Sequence, residues 1–239
     1  MTEPIDIVIP LGVGSGWRDN ELRYALRSYE KYLTGFRDVY IVGHPRFWLQ
    51  DVKYIPCEEL YTRKEKCIFN KIIAACEDPR VSENFLFTND DIFQVQPMDV
   101  NQIKYWYDRD LELLMVKSQG VYQRTVNNTN QYLKSKGATN LNFDIHVPII
   151  YEKSKFMDLL QVDWSKKDYV IKSLYSNLAK VEGAPMRDLK ISRALSETDI
   201  KKAIQERLFF SLSDHGINPA MRNTLHELYS KPSRFEKTL

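Results

Sequence analysis

The stretch Phe85-Leu86-Phe87 runs straight into Thr88-Asn89-Asp90-Asp91, and a second apolar pair, Ile92-Phe93, follows. An apolar run of this length and bulk reads as a buried strand. Two adjacent carboxylates at the end of such a strand are costly unless something positive meets them. The chain must therefore bring a divalent cation, an Arg or Lys pair, or helix N-termini to that point, or else turn the acids out to water. In an open α/β sheet, ligands bind outside the carboxyl ends of the strands. A hard cation takes carboxylate oxygens and shares itself with substrate phosphates. Asn89-Asp90-Asp91 thus reads as a metal–diphosphate site. Asn and Asp are also common turn formers, so a turn with two solvated acids fits the same spacing.

The segments upstream set the fold class. Ile5 to Leu11 is short and β-branched and predicts a buried first strand, ended by Pro10. The loop Gly12-Val13-Gly14-Ser15-Gly16-Trp17 follows. Glycines after a first strand allow close approach to a nucleotide, which makes Gly12 and Gly14 candidate contacts. The loop lacks the Gly-Lys-Ser/Thr ending of a P-loop and the glycine spacing of a dinucleotide fold, so a plain turn is the alternative. Asn20 to Tyr32 predicts a helix, with Leu22, Leu26, Tyr29 and Leu33 on one stripe and Asn20 as its cap. Arg23 is near enough to the loop to reach a phosphate, although helix arginines are ordinarily solvated. Val39 to Gly43 predicts the next strand, which completes strand–helix–strand. Val52 to Pro56 predicts a third strand and Arg63 to Glu77 a second helix. Its basic first turn opposes the helix dipole and is either a ligand contact or a solvated face.

Beyond the acidic centre, Leu111 to Val116 predicts a strand, and Gln119 to Lys136, rich in Asn and Gln, a loop with a helical piece. Phe143 to Tyr151 predicts an apolar strand that carries His146. Such a histidine is usually a satisfied core residue, yet it is also what a base near neutral pH requires. Short helices are expected near Lys155–Leu160, Val170–Leu178 and Asp199–Glu206. A late strand at Leu208–Leu212 runs into Ser213-Asp214-His215-Gly216, which repeats the strand-to-polar-turn pattern of the acidic centre. Asp214 and His215 are accordingly candidates to complete a metal shell, against the structural use of most such turns. A helix from Pro219 to Tyr229 closes the chain, with a loosely held tail after Lys231.

With 239 residues, 43% hydrophobic and 28% charged, the chain has the balance of a soluble globular protein with a substantial core. A net charge of +2 gives no strong pull toward nucleic acid or anionic membrane. Cys57, Cys67 and Cys76 fit no common metal-site spacing, and three thiols suggest no disulfide framework. The N-terminus does not resemble a signal peptide, and no apolar run has transmembrane length. A cytoplasmic location is the expectation.

Four segments in order resemble the Stealth family: Glu21 to Tyr32, Val39 to Val42, Phe85 to Asp91, and His146-Val147-Pro148. These are sugar-phosphate transferases of capsule synthesis and of lysosomal enzyme tagging. The resemblance covers roughly the first two-thirds of the chain and extends to small bacterial and phage glycosyltransferases of GT-A fold. It implies an α/β, GT-A-like single domain over residues 1–239, with a mixed, mostly parallel central sheet, helices on both faces and a more helical C-terminal part. Residues 1–120 would form the nucleotide-sugar half and 121–239 the acceptor half. It also implies a nucleotide-sugar donor and Mn2+ or Mg2+ as cofactor. Asp91 would ligate the metal directly. Asp90 would help hold the metal or the ribose beside Asn89. His146 would be catalytic or touch substrate, and Arg187 falls where the family has a phosphate-side arginine. The family carries an acid soon after its first strand, whereas this chain has its glycine loop there. That departure favours plain glycosyl transfer, onto a glycan or another hydroxyl, over hexose-1-phosphate transfer. A glycosyltransferase acting on modified phage DNA bases is a sub-case, with Lys201-Lys202 as its local basic feature. A sugar- or nucleotide-binding module without catalysis is the rival from another class.

Overall fold

The computed structural model describes residues 3–13, 15–114 and 120–237. Strand β1 (Ile5–Leu11) lies at the centre of the main sheet. It alternates between two cores, with Ile5, Ile7 and Ile9 in one and Val8 in the other. That is why it is apolar at nearly every position. Beside it runs β2 (Phe36–Gly43), then β3 (Lys53–Pro56). On its other side lies β4 (Asn84–Phe87). These four are parallel.

Helix α1 (Asn20–Tyr32) covers one face, with Leu22, Ala25, Leu26 and Tyr29 buried against Ile7, Ile9 and Ile41. Helix α2 (Lys64–Glu77) covers the other, with Phe69, Ile72 and Ala75 against Val8, Tyr40 and Phe85. Each buried Leu, Ile or Phe side chain among these contributes roughly 1.5–3 kcal/mol of transfer free energy. Gly43, at the end of β2, has φ +123°, and a Cβ there would sit 2.2 Å from the Leu11 carbonyl oxygen. A larger residue would push apart the two strand ends that open onto the site.

A second sheet fixes what comes after β4. It contains β5 (Ile92–Gln94). Helix α3 (Val121–Ser135) follows later in the chain, then β6 (Ile149–Glu152), which pairs antiparallel with β4 and completes the main sheet. Helices α4 (Lys153–Met157) and α5 (Ile171–Leu178) come next, then β7 (Lys190–Ile191), α6 (Glu197–Ile204), β8 (Phe209–Leu212) and α7 (Pro219–Leu228). Strand β8 pairs antiparallel with β5 and parallel with β7. The expected architecture is met: mixed α/β, a mostly parallel central sheet, helices on both faces and a more helical part after residue 120. Among the described residues no helix is long and apolar enough to cross a membrane.

Several local expectations fail for identifiable reasons. Leu111–Leu114 is a 3-10 turn rather than a strand. Leu111 alone is buried while Leu113 is exposed, so the run never had a sheet-facing side; Met115 and Val116 lie outside the described residues. The polar stretch expected to be a loop with a helical piece is the helix α3 over most of its length, and Gln119 lies outside the described residues. Its buried Thr125 and Thr129 hydroxyls donate to the Val121 and Thr125 carbonyls, and Thr129 Oγ1 also accepts from the Val170 amide. Internal hydrogen bonds make a polar helix face buriable. Asn20 does not cap α1. Its amide donates to the Trp17 carbonyl, while Ser15 Oγ accepts from the Trp17 and Asp19 amides. The tail after Lys231 is not loose: Phe235 and Glu236 are buried, and Glu236 accepts from Arg23 and Arg27.

Candidate active site

The acidic loop is tied at both ends. At its start, the Thr88 amide donates to the Val8 carbonyl at 3.1 Å, which extends the β4–β1 pairing by one residue. The Tyr29 hydroxyl of α1 donates to the Ile92 carbonyl at 2.8 Å and lies 2.6 Å from Thr88 Oγ1. At its end, the Leu212 amide donates to the Asp91 carbonyl at 3.2 Å, so β8 grips the loop from the C-terminal side. Between these anchors Asn89, Asp90 and Asp91 face a cavity of about 570 Å³. Gly12, Glu21, Lys64, Lys71, Lys190 and Asp214 are among its other lining residues.

Charge in this cavity is poorly compensated. Burial, then the neighbouring Asp91 and Glu21, push the Asp90 carboxyl up to about 7. Asp91 Oδ1 is buried and has no hydrogen-bond partner among the described residues. Its Oδ2 lies 3.9 Å from Lys190 Nζ, too far for a hydrogen bond. An orphaned carboxylate oxygen beside a second acid suits a hard divalent cation, whose remaining positions a phosphate and water would fill. Asp90 and Asp91 therefore fit Mn2+ or Mg2+ as donors. Among the described residues no three His, Cys, Asp or Glu side chains are grouped to hold a metal ion, so the protein alone does not form a closed cage.

A second cavity, of about 240 Å³, adjoins the first and shares Lys64, Ile68, Asn89, Asp91 and Lys190 with it. His146, Tyr122, Asp144 and Lys172 line its far side. His146 is not on a strand. It stands in a tight turn ahead of β6, closed by the Val147 amide on the Ile145 carbonyl at 2.9 Å. Asp188 accepts twice from it: Oδ1 from the backbone amide at 2.9 Å and Oδ2 at 2.7 Å from Nδ1. Burial alone would raise the Asp188 carboxyl, but the bonds from His146 outweigh it and hold the group below the usual range. Lys190 Nζ lies 3.1 Å from His146 Nε2. Lys172, 6% exposed, donates to the Ile145 and Val147 carbonyls at 2.9 and 2.7 Å and so clamps the turn from below. The Tyr122 hydroxyl donates to Asp144 Oδ2 at 3.1 Å.

The sequence candidates separate accordingly. Gly12, Asn89, Asp90, Asp91 and Asp214 line the first cavity, and His146 lines the second. Gly14 lies outside the described residues. Arg23 is not at the cavity. Its guanidinium is committed to Glu236 at 3.1 Å and stacks over Trp48 at 3.8 Å, so helix position put it on the tail rather than on a phosphate. Arg187 is exposed and lines neither cavity. His215 is likewise exposed and lines neither, whereas Ser213, Asp214 and Ile217 of the same turn line the first cavity. Of the basic turn of α2 only Lys64 lines the cavities: Arg63 is bound to the Trp164 carbonyl and Asp168, and Lys66 to the Trp164 carbonyl. Lys201 is paired with Glu227, which removes much of the Lys201-Lys202 basic feature. Asp188, Lys190, Lys172, Tyr122 and Asp144 were missed as site residues. The alternation Asp188-Leu189-Lys190, polar on either side of an apolar residue, carried the signal for two of them.

No protein-family model matches the chain, so the Stealth resemblance rests on its four segments alone. No curated protein matches it in sequence. Among solved structures, it is similar to a glycosyltransferase involved in the glycosylation of the major capsid of PBCV-1 (16% identity, 94% of this chain and 100% of that one, TM-score 0.43). It is similar to an active-site mutant of LgtC (10% identity, 95% of each chain, TM-score 0.48). It is also similar to the glycosyltransferase GlyE of Streptococcus pneumoniae TIGR4 (11% identity, TM-score 0.45), where it covers 95% of this chain and 60% of that one. At these identities no residue role passes from them to this chain.

Proposed function

We propose that the chain is a glycosyltransferase of GT-A type that binds a nucleotide-sugar donor in the larger cavity and a hydroxyl-bearing acceptor in the smaller one. The observation that carries the reading is the shared wall. Asn89 and Asp91 line both cavities, so a group held at the acidic loop is presented to whatever enters beside His146. Asp90 and Asp91 are the residues that would hold Mn2+ or Mg2+, and Asp214 lines the same cavity from the C-terminal side. When bound, such a cation supplies Lewis-acid neutralisation of a departing diphosphate. Gly12 lines the same cavity at the mouth of β1, where a Cβ would meet the Glu59 carboxylate at 3.0 Å. His146 takes the proton of the acceptor hydroxyl, and Asp188, holding Nδ1, fixes the ring for that task.

A melting-temperature panel of nucleotide sugars, each with and without Mn2+, tests the donor. At least one is expected to stabilise the protein, and more strongly with the ion. A transfer assay with that donor tests the reaction. Phosphorus retained in the product would convert the reading to hexose-1-phosphate transfer, and its absence supports glycosyl transfer. Stabilisation that ignores chelators, with no turnover on any acceptor, would leave a binding module.

A further inference from the structure

We propose that Lys190 is a catalytic residue that serves both cavities in turn: it covers the basic nitrogen of His146 until a diphosphate arrives, then turns to that diphosphate and releases the nitrogen. The inference rests on the donor and acceptor reading above and adds a coupling between its two steps.

Lys190 opens β7, and its backbone is fixed. It pairs with Ser211 of β8, and the Ser213 amide donates to the Ile191 carbonyl at 3.1 Å. A Cβ on Gly216 would meet that same carbonyl oxygen at 2.2 Å, so the strand is packed from beneath as well. The side chain, by contrast, is 33% exposed and has four rotatable bonds. Its ammonium can therefore move without disturbing the strand. It sits 3.1 Å from His146 Nε2 and 3.9 Å from Asp91 Oδ2.

An ammonium only donates hydrogen bonds. Nε2 of His146 must then be the acceptor, and Nδ1, 2.7 Å from an Asp188 carboxylate oxygen, must carry the ring proton. In this arrangement the ring's one acceptor lone pair is already engaged. An acceptor hydroxyl cannot pass its proton to that nitrogen until Lys190 leaves. Lys172 cannot substitute for it, since it is held by the two carbonyls that flank His146. Lys64 and Lys190 are the cations that line both cavities among the described residues, and of these Lys190 is the one bonded to the histidine.

A diphosphate near Asp91 offers the ammonium a charge-assisted bond, roughly twice as strong as one to a neutral acceptor. The exchange leaves the donor neutralised and the base exposed together. In the transfer step the acceptor O–H proton passes to Nε2, and the acceptor oxygen bonds to the anomeric carbon. The bond from that carbon to the phosphate oxygen breaks, and its electron pair leaves with the diphosphate, whose charge Lys190 meets. Donor binding thereby precedes base activation.

The test is nitrogen NMR of the full chain labelled at histidine, at one fixed pH, with the His146 signals assigned by their loss in His146→Gln. An equimolar mixture of ADP, CDP, GDP and UDP with Mg2+ is the probe, and melting temperature is followed in parallel. The wild-type Nε2 signal is expected to move toward the position of an unbonded acceptor nitrogen when the mixture stabilises the protein. In Lys190→Met the signal is expected to start there and stay. Lys190→Met should also raise the donor KM about tenfold and lower kcat, while Lys190→Arg, which keeps the charge, recovers most of the KM. Stabilisation by the nucleotides with an unmoved wild-type Nε2 signal overturns the exchange and spares the donor reading. A Lys190→Met signal identical to the ligand-free wild type overturns it independently. No stabilisation by any nucleoside diphosphate overturns the donor reading and the exchange together.

Discussion

Two ends of one sheet treat buried acids in opposite ways. Asp6, at the start of β1, is fully buried. Its carboxylate accepts from Arg37 Nε and Nη2 at 2.9 and 2.6 Å, from the Asp38 amide at 3.2 Å and from the Ser82 amide at 2.7 Å. A cavity of about 370 Å³ also opens at that end, yet its cations are spoken for: Arg37 by Asp6, Lys53 by Asp38 and Arg234 by Glu30. At the other end Asp90 and Asp91 have a raised carboxyl and an orphaned oxygen. Folding alone has no reason to keep two poorly compensated carboxylates side by side, since burying charge without full pairing is costly. On the proposed reading, one acid is a strut and the other two are the groups that meet a ligand.

The sharpest way to break the contrast is to remove one acid from each end. Asp91→Ala is expected to cut transfer by at least about 10²-fold, the scale of losing one group that meets transition-state charge, with an unchanged circular dichroism spectrum. Full activity in that variant would sink the reading. Asp6→Ala should do the reverse. It strands the Ser82 and Asp38 amides and Arg37, and is expected to lower stability by about 2–4 kcal/mol in urea unfolding. Because half of the Arg37 pair is near solvent, the lower part of that range is favoured. Turnover per folded molecule should stay within about twofold, and a large loss there would blur the two ends.

How much of this was readable in the chain follows the same divide. The strands and helices of the first half came from local pattern: α1 carries Leu22, Leu26 and Tyr29 of its stripe on the buried face, and β1 is apolar because both faces are covered. The acidic loop was readable as well, since charge against burial is a local conflict. The far wall was not. His146 meets Asp188 and Lys190 across more than forty residues, and long-range pairings close that distance: β7 with β8, β8 with β5, and Gly183–Pro185 with Tyr105–Tyr107. Arg23 shows the converse error. Its place on α1 suggested a phosphate, but a tail residue 213 positions away claimed it. Sequence spacing states which side of an element a residue is on and leaves open which distant segment reaches it.

Two smaller effects sharpen the comparison. Asp90 has a folded-state carboxyl at about 7, against an ordinary value near 3.8. Between those values the folded protein binds more protons than the unfolded chain, so stability should fall as pH rises from about 4 to 7. Unfolding free energies at pH 5 and pH 8 are expected to differ by roughly 1–2 kcal/mol through this group, an estimate discounted for its half-buried position. Asp90→Asn should flatten that dependence and leave the protein more stable at pH 8. An undiminished slope would mean that Asp90 is not the strained acid.

The smallest effect concerns the anchor rather than the acids. Tyr29→Phe keeps the ring in the core but removes a hydroxyl that donates to the Ile92 carbonyl and meets Thr88 Oγ1. The stability cost should be about 1 kcal/mol, that of one buried hydrogen bond. Its bearing on the site should be larger than this suggests, because both bonds hold the strand ends between which Asn89-Asp90-Asp91 is stretched. A donor KM that rises several-fold in Tyr29→Phe, with little change in melting temperature, would show that the loop is held in place for its ligand. An unchanged KM would show that β8, through Leu212 and the Asp91 carbonyl, holds it alone.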